Sequence, residues 1–482
     1  MQQFINQIYN IVWSDALVYL CLFTGIYFTL RFRFPQVRYL KHMIKLLFAG
    51  SNSSRGISSF QAFSLAISGR VGTGNIAGVA TAIGMGGPGA VFWMWVIAFL
   101  GSSSAIIEAS LGQMYKEVKD GQYRGGPAFY ILKGLNSKVF AWTFAVVTII
   151  STGFLLPSVQ SNSISLAVHS SFGISHHVIA VVLVSLLAFI IIGGVKRISR
   201  VAEYVVPFMA GAYILMAIVI MTLNFQQIPA VIAMIFDAAF NTESVFGGII
   251  GMAISWGVKR GIYSNEAGQG TAPHAASAAA VSHPIKQGLV QGFSVYVDTL
   301  FVCTATAFMI LFTGQYNVTD PEGGFLVQNL HESIQAGPEY TQHAVAKHFP
   351  LLGDSFVAIA LFFFAFTTIM AYYYIAETNV SFVMGASKNK LLIWTLRLLI
   401  LLSVYIGCIS TAESAWILGD IGVGIMAWLN VIAIIFLHNR VLILLKDYNG
   451  QISEGKDPVF NNSKYNFRNM DFWNQKSKSF PE

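Results

Sequence analysis

The sequence predicts an all-α integral membrane protein with about eleven transmembrane helices. The first observation is composition: 55% of the 482 residues are apolar and only 11% are charged, against about 45–50% and about 25% in soluble proteins. The second is length, because the apolar residues form runs of about 20 or more, enough to cross a hydrocarbon core about 30 Å thick. The third is charge, because lysine and arginine gather between alternate runs. A soluble fold could not keep this much apolar surface from water.

Eleven apolar runs are the candidate spans, which we number in chain order. They cover residues 14–35, 58–83, 88–115, 139–168, 177–195, 201–222, 244–283, 287–313, 350–384, 391–411 and 414–437. Each is much longer than the roughly ten-residue strands of a membrane barrel, so each is predicted to be helical. Residues 226–240 are too short to cross and are expected to lie along the outer surface.

The domain organisation that follows is simple. Residues 1–445 are predicted to form a single transmembrane domain, and the polar residues 446–482 to form a cytoplasmic tail that is disordered. The first dozen residues lack the basic segment of a cleavable signal peptide, so the first span is expected to be retained. The oligomeric state is left open, with a monomer as the simplest expectation.

The distribution of positive charge predicts the orientation. With the N-terminus outside, 24 of the 29 lysines and arginines fall in cytoplasmic segments and one, Lys347, falls outside. Positively charged loops stay on the cytoplasmic side, so the N-terminus is predicted outside and the C-terminus inside the plasma membrane of a bacterial cell. The net charge of +7 therefore indicates membrane topology, and nucleic acid is not an expected partner.

Two spans contain glycine clusters together with charged residues. The second span has four glycines around Arg70, and the seventh is about 40 residues long with Lys259, Arg260 and Glu266 among its glycines. Glycine costs about 1 kcal/mol in a helix interior, and charge at membrane depth costs more. The pattern predicts two broken helices, whose free N–H and C=O groups can bind an anion and a cation. The alternative for glycines spaced like Gly74 and Gly78 is close helix packing.

The positions of the two interruptions predict a repeat. After the first span ten remain, and the interrupted ones are the first and the sixth of those ten. Two halves of five helices, at about 58–222 and 244–437, fit an inverted-repeat transporter core with its site near the midplane of the membrane. A channel, a membrane enzyme and a receptor are the rival classes. The sequence contains no P-loop, HExxH or GxSxG motif, so an enzyme is not expected.

Four stretches resemble a known family, the alanine or glycine:cation symporters (sodium:alanine symporters) of the amino acid–polyamine–organocation superfamily. They are VGTGNIAGVATAI at 71–83, GGPGAVFWMWVIAFLG at 86–101, RGIYSNEAGQGTAPHA at 260–275 and FAFTTIMAYYYIAE at 364–377. The resemblance implies a five-plus-five core after one extra helix. It also implies Na+-coupled symport of a small neutral amino acid, with no organic cofactor. Coupling to H+ and, less favoured, a channel are the alternatives.

A zwitterionic substrate needs donors for its carboxylate and acceptors for its ammonium group. The broken second span offers N–H groups near Thr73, Gly74 and Asn75, and the seventh span is expected to unwind near Trp256 and Gly257. The resemblance adds Gln160 and the residues that would line the rest of the pocket. The predicted substrate set is Thr73, Gly74, Asn75, Gln160, Trp256, Val258, Ile262, Thr368 and Tyr372.

The predicted Na+ site resembles the sodium site shared by the superfamily. Its ligands would be the hydroxyls of Thr367 and Thr368 together with main-chain carbonyls near Ser68 and Val71. Two departures from the family bear on the substrate. Members commonly carry tryptophan at the position of Tyr372 and an aromatic residue at that of Val258, so the pocket is expected to have room for glutamine as well as alanine or glycine.

Other buried ionisable residues are interpreted as structural ion pairs or parts of a gate. They are Glu108, Glu203, Asp298, Glu377 and Asp420. Arg70 and Glu266 both fall in the cytoplasmic halves of broken helices, so an ion pair between them is one possibility. The three cysteines are expected to be small core residues, and the histidines show no spacing typical of a metal site.

Overall fold

The structure, a computed structural model, describes residues 2–49, 55–242, 245–385 and 390–474. All eleven predicted spans contain helices. Eight of the helical segments in the described residues are long and apolar enough to cross a membrane. The remaining three spans are the two interrupted ones and the short fifth span. The predicted fold class is therefore confirmed.

The first six spans and their connections have the following bounds. Helices cover Gln2–Val12, Asp15–Arg31, Pro35–Arg38, Leu40–Leu47, Ser59–Arg70, Val79–Gly86, Gly89–Met114, Pro127–Leu135, Lys138–Ile150, Leu156–Phe172, His176–Ile191 and Gly194–Leu223, with π-helical turns at Gly74–Gly78 and Ser151–Leu155. A short hairpin pairs Glu117–Lys119 with Gln122–Arg124.

The last five spans follow a helical connection. Helices cover Ile228–Phe240, Ile250–Asn265, Ala272–Ala278, Pro284–Val295, Thr304–Thr313, Pro338–Ala346, Gly353–Met384, Lys390–Ile409 and Ala412–Ser453, with a π-helical turn at Tyr296–Cys303 and single 3₁₀ turns at Phe225–Gln227, Gly247–Ile249 and Asn462–Lys464. A second hairpin pairs Asn317–Thr319 with Phe325–Gln328.

Helices of the two predicted halves pack against each other as counterparts. The second span contacts the seventh, the third contacts the eighth, the fourth contacts the ninth, and the fifth contacts the tenth. Each pair is five spans apart in sequence. The arrangement follows the five-plus-five repeat, and it puts the two interrupted helices side by side in the interior.

The second span is broken between Arg70 and Gly74, as predicted. A β-carbon on Gly72 would lie 2.5 Å from Thr368 Oγ1 and 2.8 Å from Gln160 Oε1. Glycine is needed here because the ninth and fourth spans approach the backbone so closely. The helix ends at Arg70 and resumes with the π-helical turn that begins at Gly74.

The seventh span breaks ten residues later than we expected. Its first helix is continuous through Trp256 and Gly257 and ends at Asn265. The chain then turns through left-handed backbone at Glu266 (φ 53°), Gly268 (φ 83°) and Gly270 (φ 88°). These conformations are costly for residues with a side chain, so glycine suits two of the three.

The glycines that suggested unwinding near Trp256 have a packing role. A β-carbon on Gly257 would lie 2.5 Å from the carbonyl oxygen of Ala90, and one on Gly261 would overlap Ile97. Gly257 and Gly261 are four residues apart and let the seventh span approach the third closely, as small residues do between membrane helices. The prediction of the break at Trp256 and Gly257 was wrong for this reason.

Residues 446–474 are ordered, contrary to the expectation of a disordered tail. The eleventh span continues as helix to Ser453. Beyond it the chain folds back, and the ring of Trp473 is 1% exposed and donates a hydrogen bond of 2.9 Å from Nε1 to the carbonyl oxygen of Gln113. Aromatic residues in the tail supply apolar surface that its polar average composition conceals. Residues 475–482 lie outside the described residues.

A polar contact ties this tail to the rest of the bundle. The carboxylate of Asp447 accepts hydrogen bonds from His283 (3.3 Å), Tyr465 (2.6 Å) and Lys464 (3.2 Å). Burial by itself would raise the pKa of Asp447, but the hydrogen bonds from these three groups outweigh it and lower the pKa well below its ordinary range. The ionised carboxylate of Asp447 is therefore the group that joins the tail to His283, in the loop before the eighth span.

Candidate functional site

The break in the second span exposes two main-chain N–H groups to side chains. The N–H of Gly72 donates to Asn75 Oδ1 (2.9 Å), and the N–H of Thr73 donates to Gln160 Oε1 (2.9 Å). Thr73 Oγ1 is buried and has no hydrogen-bond partner within the described chain. The start of a helix carries partial positive charge and favours an anion. The amide oxygen of Gln160 therefore lies where a substrate carboxylate oxygen could bind.

Thr368 joins the ninth span to the end of the first half-helix. Its hydroxyl lies 2.8 Å from the carbonyl oxygen of Ser68, 3.4 Å from that of Val71 and 3.0 Å from that of Phe364. These neutral oxygens are the ligand type that a hard cation prefers. The hydroxyl of Thr367 instead contacts the carbonyl oxygen of Phe364 in its own helix (3.0 Å). The structure brings Ser68, Val71 and Thr368 together and directs Thr367 to its own backbone.

The break in the seventh span is held by a carboxylate from the third. Glu108 accepts hydrogen bonds from the N–H groups of Gly268 (3.3 Å) and Gly270 (3.2 Å). It also accepts one from Asn430 Nδ2 on the eleventh span (2.7 Å), and the same amide contacts the carbonyl oxygen of Gly268 (2.9 Å). Glu108 thus connects this loop to the eleventh span, a role that ion-pair reasoning from sequence did not identify.

Asp298 connects the two breaks directly. Its carboxylate accepts hydrogen bonds from Asn75 Nδ2 on the second span (2.7 Å), Ser264 Oγ on the seventh (2.9 Å) and the neighbouring Thr299 Oγ1 (2.7 Å). A β-carbon on Gly74 would lie 3.1 Å from the Cα of Ser264. The two interrupted helices therefore touch at their breaks. Gly74 permits this close contact, but a β-carbon on Gly78 would meet Arg260 at the ordinary contact distance of 3.8 Å, so the packing interpretation holds for Gly74 alone.

Arg70 and Glu266 do not form an ion pair. Arg70 Nη1 donates to the carbonyl oxygen of Gln291 (3.2 Å) and contacts Ser294 Oγ, while its Nε and Nη2 have no hydrogen-bond partner in the described part of the chain. Glu266 accepts hydrogen bonds from Tyr372 OH (3.0 Å) and Thr271 Oγ1 (2.6 Å). Both charged groups are 2% exposed. The pairing that their positions suggested is absent.

A small cavity lies beside Glu266. Its volume is about 10 Å³ and its wall includes Gly69, Glu266, Thr271, Ala371 and Tyr374. A space of this size holds about one water molecule. An amino acid is much larger, so this cavity cannot hold the substrate.

The side-chain end of the predicted pocket is apolar. Val258 and Ile262 are buried and belong to one cluster with Tyr263 and Tyr372. Trp256, predicted to join them, instead has its ring 5.1 Å from the guanidinium carbon of Arg260. The structure groups Val258, Ile262 and Tyr372 and assigns Trp256 to a different contact.

One end of the site is closed by a buried ion pair. Arg260 and Asp420 form two hydrogen bonds of 2.9 Å. The guanidinium carbon of Arg260 also lies 4.6 Å from the centre of the Trp416 ring, a favourable cation–π contact. A β-carbon on Gly78, beyond the break, would lie 3.8 Å from Arg260. This closure therefore lies on the side of the break that Val79–Gly86 occupies.

The opposite end is closed by main chain. The N–H of Ile57 donates to the carbonyl oxygen of Ala278 (3.0 Å), and the N–H of Ala280 donates to that of Ile57 (2.9 Å). Ile57 immediately precedes the helix Ser59–Arg70, and Ala278 ends the last helix of the seventh span. The two interrupted spans are thus joined directly at this end, whereas the ion pair at the other end joins the seventh span to the eleventh.

The other ionisable residues singled out in the sequence have ordinary partners. Glu377 forms an ion pair with Arg124 (3.5 Å). Glu203 accepts a hydrogen bond from Gln61 Nε2 (2.9 Å). The residue that sequence reasoning missed is Asn430, a single amide in an otherwise apolar stretch of the eleventh span. A lone polar residue at membrane depth is a signal that could have identified it.

Comparison with known proteins gives a consistent result. The sequence matches the sodium:alanine symporter family over residues 1–462. YrbD of Bacillus subtilis (strain 168) is 57% identical over 473 residues, 98% of each chain. The sodium/proton-dependent alanine carrier protein of Bacillus sp. (strain PS3) is 48% identical, and the match covers 91% of this chain and 99% of that one. Among solved structures, a variant of the manganese transporter of Eremococcus coleocola has a TM-score of 0.50 at 12% identity over 78% of both chains, a similarity of fold alone.

Proposed function

Since the chain belongs to the sodium:alanine symporter family, we propose that this cation-coupled amino-acid carrier moves alanine or glycine together with Na+ into a bacterial cell by alternating access. The observation that carries the proposal is the contact of two broken helices inside the bundle. Asn75 from one break and Ser264 from the other share the carboxylate of Asp298. Discontinuous helices that meet at membrane depth offer both polarities of backbone group to one small ligand.

The substrate carboxylate binds at the start of the second half-helix. It takes the N–H groups of Thr73 and Gly74, with the hydroxyl of Thr73 as a third donor. The side chain of Gln160, which now accepts from the N–H of Thr73, turns its amide toward the ligand. This exchange keeps the buried N–H paired with and without substrate, as buried polar groups require.

The substrate ammonium group binds at the other break. The helix Ile250–Asn265 ends beside the first break, and the last turn of a helix leaves carbonyl oxygens without partners within it. These carbonyls replace the acceptors that we had expected near Trp256. The substrate side chain then points to the apolar cluster of Val258, Ile262 and Tyr372. Glutamine is a further candidate substrate because valine leaves room that an aromatic residue would fill.

Na+ binds between the second and ninth spans. The carbonyl oxygens of Ser68 and Val71 and the hydroxyl of Thr368 supply ligands, and Thr367 reaches the ion by rotating its hydroxyl away from Phe364. Binding of Na+ fixes the end of the first half-helix. Because Thr73 follows Val71 by two residues, the ion orders the backbone that receives the substrate carboxylate, which couples the two ligands.

Transport requires the two closures to open in turn. With the N-terminus outside, the Arg260–Asp420 pair faces the exterior and the Ile57–Ala278 contact faces the cytoplasm. A channel would need a continuous path, whereas here both ends are closed by specific contacts. The polar residues collect at the breaks between them, which favours a carrier.

The test is uptake of labelled alanine into proteoliposomes with an inward Na+ gradient. We expect uptake above the K+ control, stimulation by an inside-negative potential, and competition by glycine and glutamine. Equal uptake with Na+, K+ and no gradient would contradict coupling. Uptake that no amino acid competes with would contradict the substrate class.

A further inference from the structure

The interior contains more negative than positive groups. Glu108, Glu266 and Asp298 are each at most 2% exposed, and the one arginine among them, Arg70, is equally buried. Arg70 interacts electrostatically with all three carboxyl groups. If every group were ionised, the cluster would carry a net charge of −2, which is very unfavourable in a medium of low dielectric constant. One Na+ would compensate only half of this charge, so a second cation is needed.

The hydrogen-bond donors around each carboxyl group show which one can accept a proton. Glu108 accepts from one main-chain N–H group at each of its two oxygens and from the amide of Asn430, and a main-chain N–H group cannot become an acceptor. Asp298 accepts from the amide of Asn75 as well as from two hydroxyls. Among the residues that the structure describes, the donors to Glu266 are the hydroxyls of Tyr372 and Thr271. A hydroxyl can rotate and accept, so these two partners suit either protonation state.

Two further features distinguish Glu266. It lines the cavity of about 10 Å³, which leaves a space about the size of one water molecule beside its carboxyl group. It also lies at the break itself, with left-handed backbone (φ 53°). A change in the conformation of the seventh span at this break therefore moves the carboxyl group of Glu266 directly. Neither Glu108 nor Asp298 is part of the cavity wall.

We propose that Glu266 is a proton-binding site that takes up one proton from water on one side of the membrane and releases it on the other side in each transport cycle. The proton bonds to a carboxylate oxygen of Glu266, and the hydroxyl of Tyr372 or Thr271 turns to accept from it. On release the hydroxyls donate again, and the unpartnered N–H groups of Arg70 stabilise the carboxylate through space. The site rests on the proposed function as a cation-coupled carrier and adds a proton to its cargo.

The titration of Glu266 depends on all charged or titratable groups that face it. They are Arg70 from the second span, Tyr263 from the seventh, Asp298 from the eighth, and Tyr372 and Tyr374 from the ninth, while Glu108 from the third interacts with Arg70. The net effect is settled by measurement of transport against pH.

The test uses the full chain in proteoliposomes that contain a pH-sensitive dye, with equal Na+ concentrations on both sides of the membrane, so that only the alanine gradient drives movement. Inward alanine movement should acidify the lumen. Above the pH midpoint, the apparent alanine affinity should fall by about tenfold per pH unit, as expected for one required proton. Glu266→Gln should lose both effects while alanine exchange remains measurable, because exchange needs no net cation movement. Glu266→Asp should recover part of the acidification.

Two other variants separate the proton site from a structural role. Glu108→Gln removes the carboxylate that binds the loop at Gly268 and Gly270. It should lower the rate of alanine exchange and the rate of acidification by the same factor. Thr271→Val removes one donor to the carboxylate of Glu266 and should shift the pH midpoint of uptake upward, a measurement that stands even if Glu266→Gln does not fold. Unchanged acidification in Glu266→Gln, or an unshifted midpoint in Thr271→Val, would overturn the proposal. So would a wild type that takes up alanine with Na+ but moves no proton, although the proposed function would then survive.

Discussion

Arg260 of the seventh span and Asp420 of the eleventh form a bidentate ion pair, with Nη1–Oδ1 and Nη2–Oδ2 distances of 2.9 Å. The two side chains are 5% and 6% exposed. Their planar groups are matched, and Trp416 covers the guanidinium. A pair this well shielded from water holds the spans together while it is closed, and it must separate completely when they part.

The first prediction concerns this pair. Asp420→Asn leaves a buried arginine without a counter-charge, which destabilises a protein by about 3–5 kcal/mol. We expect a lower thermal unfolding temperature and slower alanine exchange. The double variant Arg260→Met/Asp420→Leu should regain most of the stability, since replacing both partners by apolar groups is often neutral. A double variant as unstable as the single one would contradict this account.

The second prediction concerns Na+. Thr368→Val keeps the side-chain shape but deletes a cation ligand, and the loss of about 1–3 kcal/mol corresponds to about ten- to a hundred-fold weaker apparent Na+ affinity. Thr367→Val should have a smaller effect, because its hydroxyl contacts its own helix. The matched control is Thr378→Val, which removes a buried hydroxyl bonded to Tyr374 on the same helix. The measurement is alanine uptake against Na+ concentration, and an unchanged Na+ dependence in Thr368→Val would exclude this site.

The third prediction concerns substrate size. Val258→Phe should fill the apolar cluster beside Ile262 and Tyr372 and reject glutamine, since a steric clash excludes a longer side chain more strongly than the loss of one methylene weakens binding. Alanine and glycine end near the α-carbon and should be spared. Inhibition of labelled-alanine uptake by glutamine and by glycine, in wild type and variant, measures this. Equal weakening of both competitors would place Val258 outside the side-chain pocket.

The fourth prediction concerns orientation. In a background without Cys21, Cys303 and Cys408, a cysteine at Asn241 should react with an impermeant reagent in intact cells. A cysteine at Ser137 should react only after permeabilisation. Asn241 is exposed and Ser137 is partly exposed, so reactivity reports the side of the membrane and not burial. The opposite result would reverse the topology derived from the charges.

The membrane fold could be predicted from the sequence because each span must form its backbone hydrogen bonds within its own helix. Each helix that crosses the membrane therefore appears in the sequence as a long apolar run. The broken second span was also predictable, since Arg70 within a glycine cluster has no ordinary place in a membrane helix. The break in the seventh span was misplaced because glycine has two roles there. Gly257 permits close packing, whereas Gly268 and Gly270 permit left-handed backbone, and composition does not separate these roles.

The partners of the charged residues were less predictable. Arg70 and Glu266 were candidates for a pair by position, but their side chains extend to different neighbours in three dimensions. The order of the tail was hidden for a different reason. The polar average of residues 446–482 obscured a few aromatic residues, and one of them, Trp473, is nearly fully buried.

The main-chain contact between Ile57 and the residues around Ala279 makes the two ends of the site differ in what mutation can reach. At the Arg260–Asp420 end, the closure consists of side-chain contacts, so single substitutions can strengthen, weaken or abolish it. At the Ile57 end, every residue except proline supplies the same N–H and C=O groups, so ordinary substitutions leave the hydrogen bonds in place. Evolution can therefore adjust the opening of the Arg260–Asp420 end in small steps. At the Ile57 end, the closure changes mainly by substitution of proline at position 57 or by a change in the path of the backbone.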